Sequence, residues 1–258
     1  MRGEPLSYVW SIIRPPFAHT VYLAHLNQPK TEKSMLLFLR GAEYLVPTAI
    51  SFILIAVIAF AYHEFAHAIV ADRLGDPTPR SYGRITLNPI PHLDRTGLIL
   101  LLIIGFGYAL TPVNPRFFRG NPRTSHAIVA IAGPLMNLLM AVLMGLPVRL
   151  GLVPIQEPGQ FLPSVYSFLT FGVYFNLLLF AFNLIPIPPL DGFTILLGIL
   201  PPDLAYRLEG IRQYSQIIFL GVFFLLPAVG IDIAFETIVP VIRFFFPLLL
   251  GPFSPFFV

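Results

Sequence analysis

The 258-residue chain is 56% hydrophobic and only 11% charged, whereas soluble domains carry about 25% charged residues. This composition excludes an ordinary soluble domain and indicates an integral membrane protein. The net charge of +3 is small, so the basic residues are expected to orient loops on the cytoplasmic side rather than to bind nucleic acid. There is no cysteine, so any metal site must use nitrogen and oxygen ligands.

Charge-free stretches mark the candidate membrane spans. They cover residues 44–63, 96–115, 124–148, 158–190, 213–231 and 244–258, and a helix needs about 20 mainly apolar residues to cross a bilayer. The chain before them carries Tyr8, Trp10 and Tyr22, which are typical anchors at a membrane surface. We therefore predict an N-terminal interfacial segment (1–44), a membrane core (45–200) and C-terminal transmembrane or interfacial segments (201–258).

The first span carries the sequence His63-Glu64-Phe65-Ala66-His67. Residues four apart share one face of a helix, so His63 and His67 can offer two imidazoles to one Zn²⁺. Glu64 lies beside them, where it can take the proton of a zinc-activated water. The alternative is a pair of core histidines with a salt-bridging glutamate, but an unpaired carboxylate at membrane depth costs several kcal/mol. We therefore interpret the motif as a metal site, on a helix that begins near Pro47 and ends at Leu74.

The polar stretch after this helix contains Arg84-Ile85-Thr86-Leu87, which alternates like a short strand. The next apolar segment, 97–113, is short and is interrupted by Gly105-Phe106-Gly107. The loops on either side, 72–95 and 114–123, together hold seven arginines. If both loops are cytoplasmic, the segment enters the membrane and returns to the same side. We predict a short β-hairpin or a re-entrant element after the first core helix.

A catalytic zinc site uses three protein ligands and a water, so two histidines are not enough. His92 and Asp94 lie close along the chain and are chemically able to ligate, although Asp94 also suits a cap at the start of segment 96–112. Asp191 instead ends a run from Asn183 whose three prolines prevent a regular helix. Irregular backbone at membrane depth is tolerated only beside protein or a wet cavity. This segment is therefore well placed to bring a carboxylate to the metal.

Three motifs in the chain resemble the signatures of the site-2 protease family of intramembrane zinc metalloproteases. They are His63 to His67, then Gly133-Pro134-Leu135-Met136-Asn137, then Asn183 to Gly192. Their order and spacing also match, as does the intervening stretch from Gly83 to Pro89, and the resemblance covers residues 45–200. Members of this family often carry a PDZ or CBS domain, and we expect this chain to be a small form without either.

The resemblance implies a role for each matching residue. His63, His67 and Asp191 would bind one zinc ion, and Glu64 would be the general base. On the substrate side of the site, Asn137 would line the cavity near the substrate, and Asn183 and Asn176 would support the broken segment or the scissile backbone. Interhelical hydrogen bonding is the alternative role for Asn137 and Asn176, and close helix packing is the expected role of the Gly133-Pro134 pair.

The sequence thus predicts an all-α polytopic membrane protein in which three transmembrane helices carry the motifs, with flanking membrane segments. By the resemblance, it would hydrolyse peptide bonds within or near transmembrane segments of membrane-protein substrates, as in regulated intramembrane proteolysis. The expected setting is the lipid bilayer of a prokaryotic cell membrane, with the active site toward the cytoplasm. The alternative is a zinc-binding transporter or sensor without protease activity. A transporter needs ligands along a path, whereas this chain offers one cluster and a general base.

Overall fold

The computed structural model describes residues 45–92, 94, 97, 99, 110–156, 159 and 161–251. In chain order its helices are α1 (Leu45–Arg73), α2 (Thr78–Ser81), α3 (Pro122–Arg149), α4 (Val165–Asn183), α5 (Asp191–Ile199), α6 (Pro202–Ala228) and α7 (Ile233–Leu250). Short 3₁₀ turns lie at Ile90–His92 and Pro115–Phe117. The long α6 changes its winding along its length, with a 3₁₀ turn at Gly210–Tyr214 and a π-helical turn at Gly221–Leu225.

Five helices are long and apolar enough to cross a membrane: α1, α3, α4, α6 and α7. Large apolar side chains such as Leu54, Leu139 and Leu143 are exposed on the outer faces of these helices, where lipid rather than water is the favourable contact. The protein is therefore an integral multi-pass membrane protein. The prediction of an all-helical membrane fold is confirmed for the described residues.

Capping side chains explain where three of the long helices begin. Asn121 accepts hydrogen bonds from the backbone N–H groups of Arg123 and Thr124 at the start of α3. Ser164 caps α4 through the Ser167 N–H, and Asp232 caps α7 in the same way. Each cap satisfies donors that have no partner inside the helix, so the polar residues that separate the spans also define their starts.

The main core forms where α3, α4 and α7 pack together. Ala141 and Val148 from α3, Val173 and Leu177 from α4, and Phe246 from α7 are all buried there. A second cluster joins α1 to α4 through Ile55, Ala56, Ala59, Phe175 and Leu179. The last helix is therefore part of the core, and the predicted division into three core helices with flanking segments is not what the structure shows.

The predicted strand near residues 84–87 is wrong, because these residues form bends and no strand is present in the described part of the chain. The backbone folds on itself here: the Arg84 N–H donates to Pro79 O at 2.8 Å, and His92 Nε2 lies 2.7 Å from Thr86 O. Four alternating residues without a neighbouring strand are too few to form a stable ladder. Most of segment 97–113 and all of residues 1–44 lie outside the described residues.

Candidate active site

Three potential ligand side chains meet between α1 and the start of α5. The Nε2 atoms of His63 and His67 are 3.0 Å apart, and they lie 3.1 and 3.3 Å from Asp191 Oδ2. They are the one such cluster of metal-ligating residues found in the described residues. The i, i+4 spacing on α1 brings the imidazoles together, and the chain brings Asp191 to them from 124 residues beyond His67.

The hydrogen bonds around the imidazoles use Nδ1 of each ring as the donor, so in the neutral imidazoles both Nε2 atoms are without protons. The Nδ1–H of His63 donates to Asn137 Oδ1 at 2.6 Å, and the Nδ1–H of His67 donates to Val129 O at 2.7 Å. A neutral imidazole carries one N–H, so each Nε2 presents its lone pair. Asp191 Oδ2 is buried and accepts no hydrogen bond. Two lone pairs and a carboxylate oxygen therefore face one another, an arrangement that a cation stabilises.

The separations of the three atoms fit a zinc ion. Zinc binds imidazole nitrogen and carboxylate oxygen at about 2.0–2.2 Å with tetrahedral geometry, so neighbouring ligand atoms lie about 3.3 Å apart. The observed distances of 3.0–3.3 Å are close to this value. Two imidazoles and one carboxylate are also a known ligand set for catalytic zinc.

Gly133 on α3 leaves the space that an ion between these ligands needs. A Cβ atom built on Gly133 would lie 2.4 Å from Nε2 of His67 and 2.5 Å from Nε2 of His63. No side chain fits at those distances, and the cavity that glycine leaves is adjacent to both lone pairs. The sequence suggested close helix packing for Gly133, and the side chains on α1 that it approaches are the two imidazoles.

The proline-broken segment after α4 brings Asp191 to the histidines. Pro186, Pro188 and Pro189 cannot continue the helix, and the chain turns through residues 184–190 before α5 begins at Asp191. Gly192 allows this tight turn, because a Cβ there would lie 2.4 Å from the backbone oxygens of both Leu184 and Ile185. The glycine after the aspartate was in the motif, but sequence alone did not show that it packs on the end of α4.

The cluster opens into a cavity of about 1030 Å³. Glu64 lines this cavity beside His63, His67 and Asp191, and Asn183 lines it from the end of α4. Its other walls are largely apolar, with contributions from Phe60, Phe175, Leu178, Leu179, Phe182, Phe219 and Leu220. The volume is at the upper end of that of binding pockets for small molecules, so a peptide segment can be accommodated next to the ligand cluster.

The other residues considered from the sequence lie away from this cavity. Asn137 and Asn176 are fully buried behind His63, and their amides join α1, α3 and α4. Asp94 Oδ1 accepts a hydrogen bond from the Gly97 N–H, which is the capping role considered for it. His92 bonds to Thr86 O instead of approaching the cluster. Of the two proposals for a third ligand, the structure brings Asp191 to the histidines.

A buried aspartate that the sequence did not identify joins the end of α1 to the chain before α3. Asp76 is fully buried and accepts hydrogen bonds from the Thr78 N–H at 2.9 Å and the Asn114 N–H at 2.7 Å. Nearby, the Arg119 N–H donates to Leu74 O at 2.8 Å. These bonds fix the chain directly after Leu110, Thr111 and Val113, which line the cavity. The sequence Gly75-Asp76-Pro77 at the end of α1 was the feature that could have indicated this role for Asp76.

The fold and the site define a class: a multi-pass membrane protein with a His-His-Asp cluster suited to zinc, beside a glutamate in an apolar cavity. Comparison with known proteins agrees with this class. The model of peptidase family M50 matches residues 149–228, which include the proline-broken segment and Asp191. No solved structure gives a significant match.

Several curated relatives carry the name "Putative zinc metalloprotease". YwhC of Bacillus subtilis (strain 168) is 41% identical over 169 residues, which are 65% of this chain and 77% of the relative. Rip2 of Mycobacterium tuberculosis (strain ATCC 25618 / H37Rv) is 32% identical over 202 residues, 74% of each chain. The chain therefore belongs to peptidase family M50, the site-2 protease family of zinc metalloproteases.

Proposed function

We propose that this zinc metalloprotease hydrolyses peptide bonds within or near transmembrane segments of membrane-protein substrates, as in regulated intramembrane proteolysis. His63, His67 and Asp191 hold the zinc ion, and Glu64 is the general base. The observation that carries the proposal is that the apolar helix α1 supplies two of the three residues of the ligand cluster. His67 lies six residues before the end of α1, which is about 9 Å along the helix axis, in a bilayer whose hydrocarbon core is about 30 Å thick.

The chemistry of this proposal is peptide hydrolysis by an activated water. Bound zinc supplies a Lewis acid that polarises the scissile carbonyl and lowers the pKa of water to about 7. Glu64 takes the proton of the attacking water and delivers it to the leaving amine, so that water adds to the carbonyl carbon as the C–N bond breaks. The apolar walls exclude bulk water from the reacting groups, which strengthens each electrostatic interaction.

The substrate must be extended when it reaches the cluster, because peptide groups in a helix are bonded to one another and are shielded from the metal. The cavity beside Glu64 has the volume for such a segment, and its phenylalanine and leucine walls suit apolar side chains of a transmembrane sequence. Asn183 is the cavity-lining asparagine, and we assign to it the hydrogen bond with the substrate backbone. Membrane-protein substrates are thus the class that the cavity favours.

We further propose that the site faces the cytoplasm of a prokaryotic cell. The bonds of Asp76 and Leu74 hold the end of α1 beside the chain that leads into α3, so α1 ends and α3 begins on the same side of the membrane. Six arginines lie at this end of the molecule: Arg73, Arg80, Arg84, Arg116, Arg119 and Arg123. An excess of basic residues is typical of cytoplasmic loops.

Single cysteines test this orientation, because the chain has none of its own. Arg116→Cys and Phe161→Cys both lie at exposed positions, before and after α3 respectively. In intact cells an impermeant maleimide should label position 161 and reach position 116 only after permeabilisation. Labelling of position 116 from outside would overturn the proposed orientation.

Proteolysis is tested with purified protein and a single-span membrane substrate in liposomes. Glu64→Gln should retain zinc and lower cleavage by about 10²–10⁴-fold, the usual contribution of a general base. Glu236→Gln makes the same chemical change on the exposed first turn of α7 and should cleave like the wild type. Undiminished cleavage by Glu64→Gln would exclude the general-base role, and absence of cleavage by the zinc-loaded wild type would count against proteolysis of such substrates.

A further inference from the structure

We propose that Asn176 and Asn137 form a relay of two buried amides that fixes His63 in the tautomer with a protonated Nδ1. The relay presents Nε2 of His63 to the metal, so both asparagines are positioning residues rather than substrate contacts. This inference rests on the proposed function, because it takes His63 as a zinc ligand. It departs from the expectation that Asn137 and Asn176 lie on the substrate side of the site.

The relay runs in one direction through four hydrogen bonds. The Asn176 Nδ2 group donates to Gly172 O at 2.9 Å. The Asn137 Nδ2 group donates to Asn176 Oδ1 at 3.1 Å and to Ala59 O at 3.3 Å. Asn137 Oδ1 then accepts from Nδ1 of His63 at 2.6 Å. The Asn137 amide thus links the Asn176 amide to the imidazole of His63.

Two backbone carbonyls determine the direction of this chain. A carbonyl oxygen can only accept, so the amide group facing Gly172 O must be the NH₂ of Asn176, and its oxygen faces Asn137. The same reasoning at Ala59 O places the NH₂ of Asn137 on that side and its oxygen toward His63. If Asn137 were flipped, its oxygen would face two other acceptors. Nδ1 of His63 must therefore carry the proton, which leaves the lone pair on Nε2.

The other imidazole does not depend on a side chain. His67 Nδ1 donates to the backbone oxygen of Val129, one helical turn before Gly133 on α3. Asn137 lies one turn after Gly133, so a single face of α3 orients both rings with the glycine between them. Substitution can remove the partner of His63, whereas the partner of His67 is main chain. His63 is therefore the ligand on which a mutational test can act.

Burial separates the relay from the substrate. Asn137 is 0% exposed and Asn176 is 1% exposed, and neither lines the cavity. Every polar atom of Asn137 is engaged by α1, α3 or α4, so a substrate hydrogen bond would require breaking one of these contacts. Partners that orient a ligating histidine typically contribute 10–100-fold to metal affinity.

The experiment measures the zinc affinity of the full-length protein in detergent, by competition with a chromophoric chelator. Asn137→Leu is expected to weaken zinc binding about 10–100-fold. Asn176→Leu does not touch His63, yet it should weaken binding by a smaller factor, because it frees the Asn137 amide to rotate. Thr170→Val removes another buried polar group from α4 and should leave the affinity within about twofold.

The double variant Asn137→Leu/Asn176→Leu distinguishes a relay from two independent structural roles. Asn176 acts only through Asn137, so the double variant should bind zinc no more weakly than Asn137→Leu alone. Additive losses would overturn the relay, as would wild-type affinity in Asn176→Leu. If Asn137→Leu does not fold, the relay is still tested by comparing the zinc affinity of Asn176→Leu with that of Thr170→Val. Failure of the wild type to bind zinc would instead refute the proposed function.

Discussion

Replacing Gly133 with alanine is expected to abolish tight zinc binding while the helices stay in place. The new Cβ would lie 2.4 and 2.5 Å from the Nε2 atoms of His67 and His63, whereas ordinary contacts begin at 3.4 Å. Each nitrogen must therefore move by about 1 Å, if the helix backbone holds its position. Zinc sites tolerate changes of only about 0.2 Å in ligand distance.

The expected loss follows from this displacement. Disturbing an outer partner of one ligand weakens metal binding by about 10–100-fold, and the alanine displaces two ligands directly. We therefore expect at least about a 100-fold increase in the dissociation constant for zinc, equivalent to about 2.8 kcal/mol. Competition titration with a chromophoric chelator measures this change, and thermal unfolding of the metal-free protein reports on the fold.

Gly221→Ala is the matched control, because a Cβ at that position meets nothing within 4 Å. It should bind zinc like the wild type. If Gly133→Ala also binds zinc with wild-type affinity, the metal does not lie between the two imidazoles, and the space beside Gly133 is not part of the zinc site. A variant that unfolds without metal would show that Gly133 serves packing rather than the site.

Zinc removal and two substitutions test the role of the metal, the turn before α5 and the buried Asp76. Removing zinc with a chelator should abolish cleavage and lower the melting temperature. Adding zinc at 100 times its dissociation constant should restore about 2.7 kcal/mol to the free energy of unfolding. Cleavage by the metal-free protein would contradict the catalytic role of zinc. Gly192→Ala places a Cβ 2.4 Å from two backbone oxygens, so it should weaken zinc binding by moving Asp191 and lower the free energy of unfolding by about 1–3 kcal/mol. Zinc titration and denaturant unfolding check it, and unchanged values in both would show that the turn tolerates a side chain. Asp76→Ala leaves two backbone N–H groups without their buried acceptor. It should lower the free energy of unfolding by about 1–3 kcal/mol with little change in zinc affinity. Wild-type stability would show that Asp76 does not hold the end of α1 to the chain before α3.

The sequence predicted the membrane class and α1 well, because both depend on local patterns. Long charge-free stretches and an i, i+4 histidine pair are visible without knowledge of the fold. The approach of Asp191 to the histidines could also be predicted, because three prolines break the membrane segment directly before this carboxylate. These features are determined by composition and spacing along one segment.

The parts that sequence reasoning missed depend on contacts between distant segments. The strand near Arg84 was inferred from four alternating residues, but such a pattern forms a strand only when a partner strand lies beside it. The relation of Gly133 to the imidazoles and the orientation of Asn137 toward His63 arise from packing of α3 on α1. Nothing in the local sequence of α3 specifies which of its faces meets the histidines.

The position of the scissile bond distinguishes a protease that works inside the bilayer from one that cleaves exposed tails. Wild-type protein in liposomes is incubated with a single-span substrate, and the products are identified by mass spectrometry, with Glu64→Gln as the inactive reference. We expect a single region of cleavage within or next to the transmembrane segment, absent from the Glu64→Gln sample. Cleavage confined to water-exposed tails far from the membrane, or the same products with Glu64→Gln, would contradict a zinc protease that works inside the bilayer.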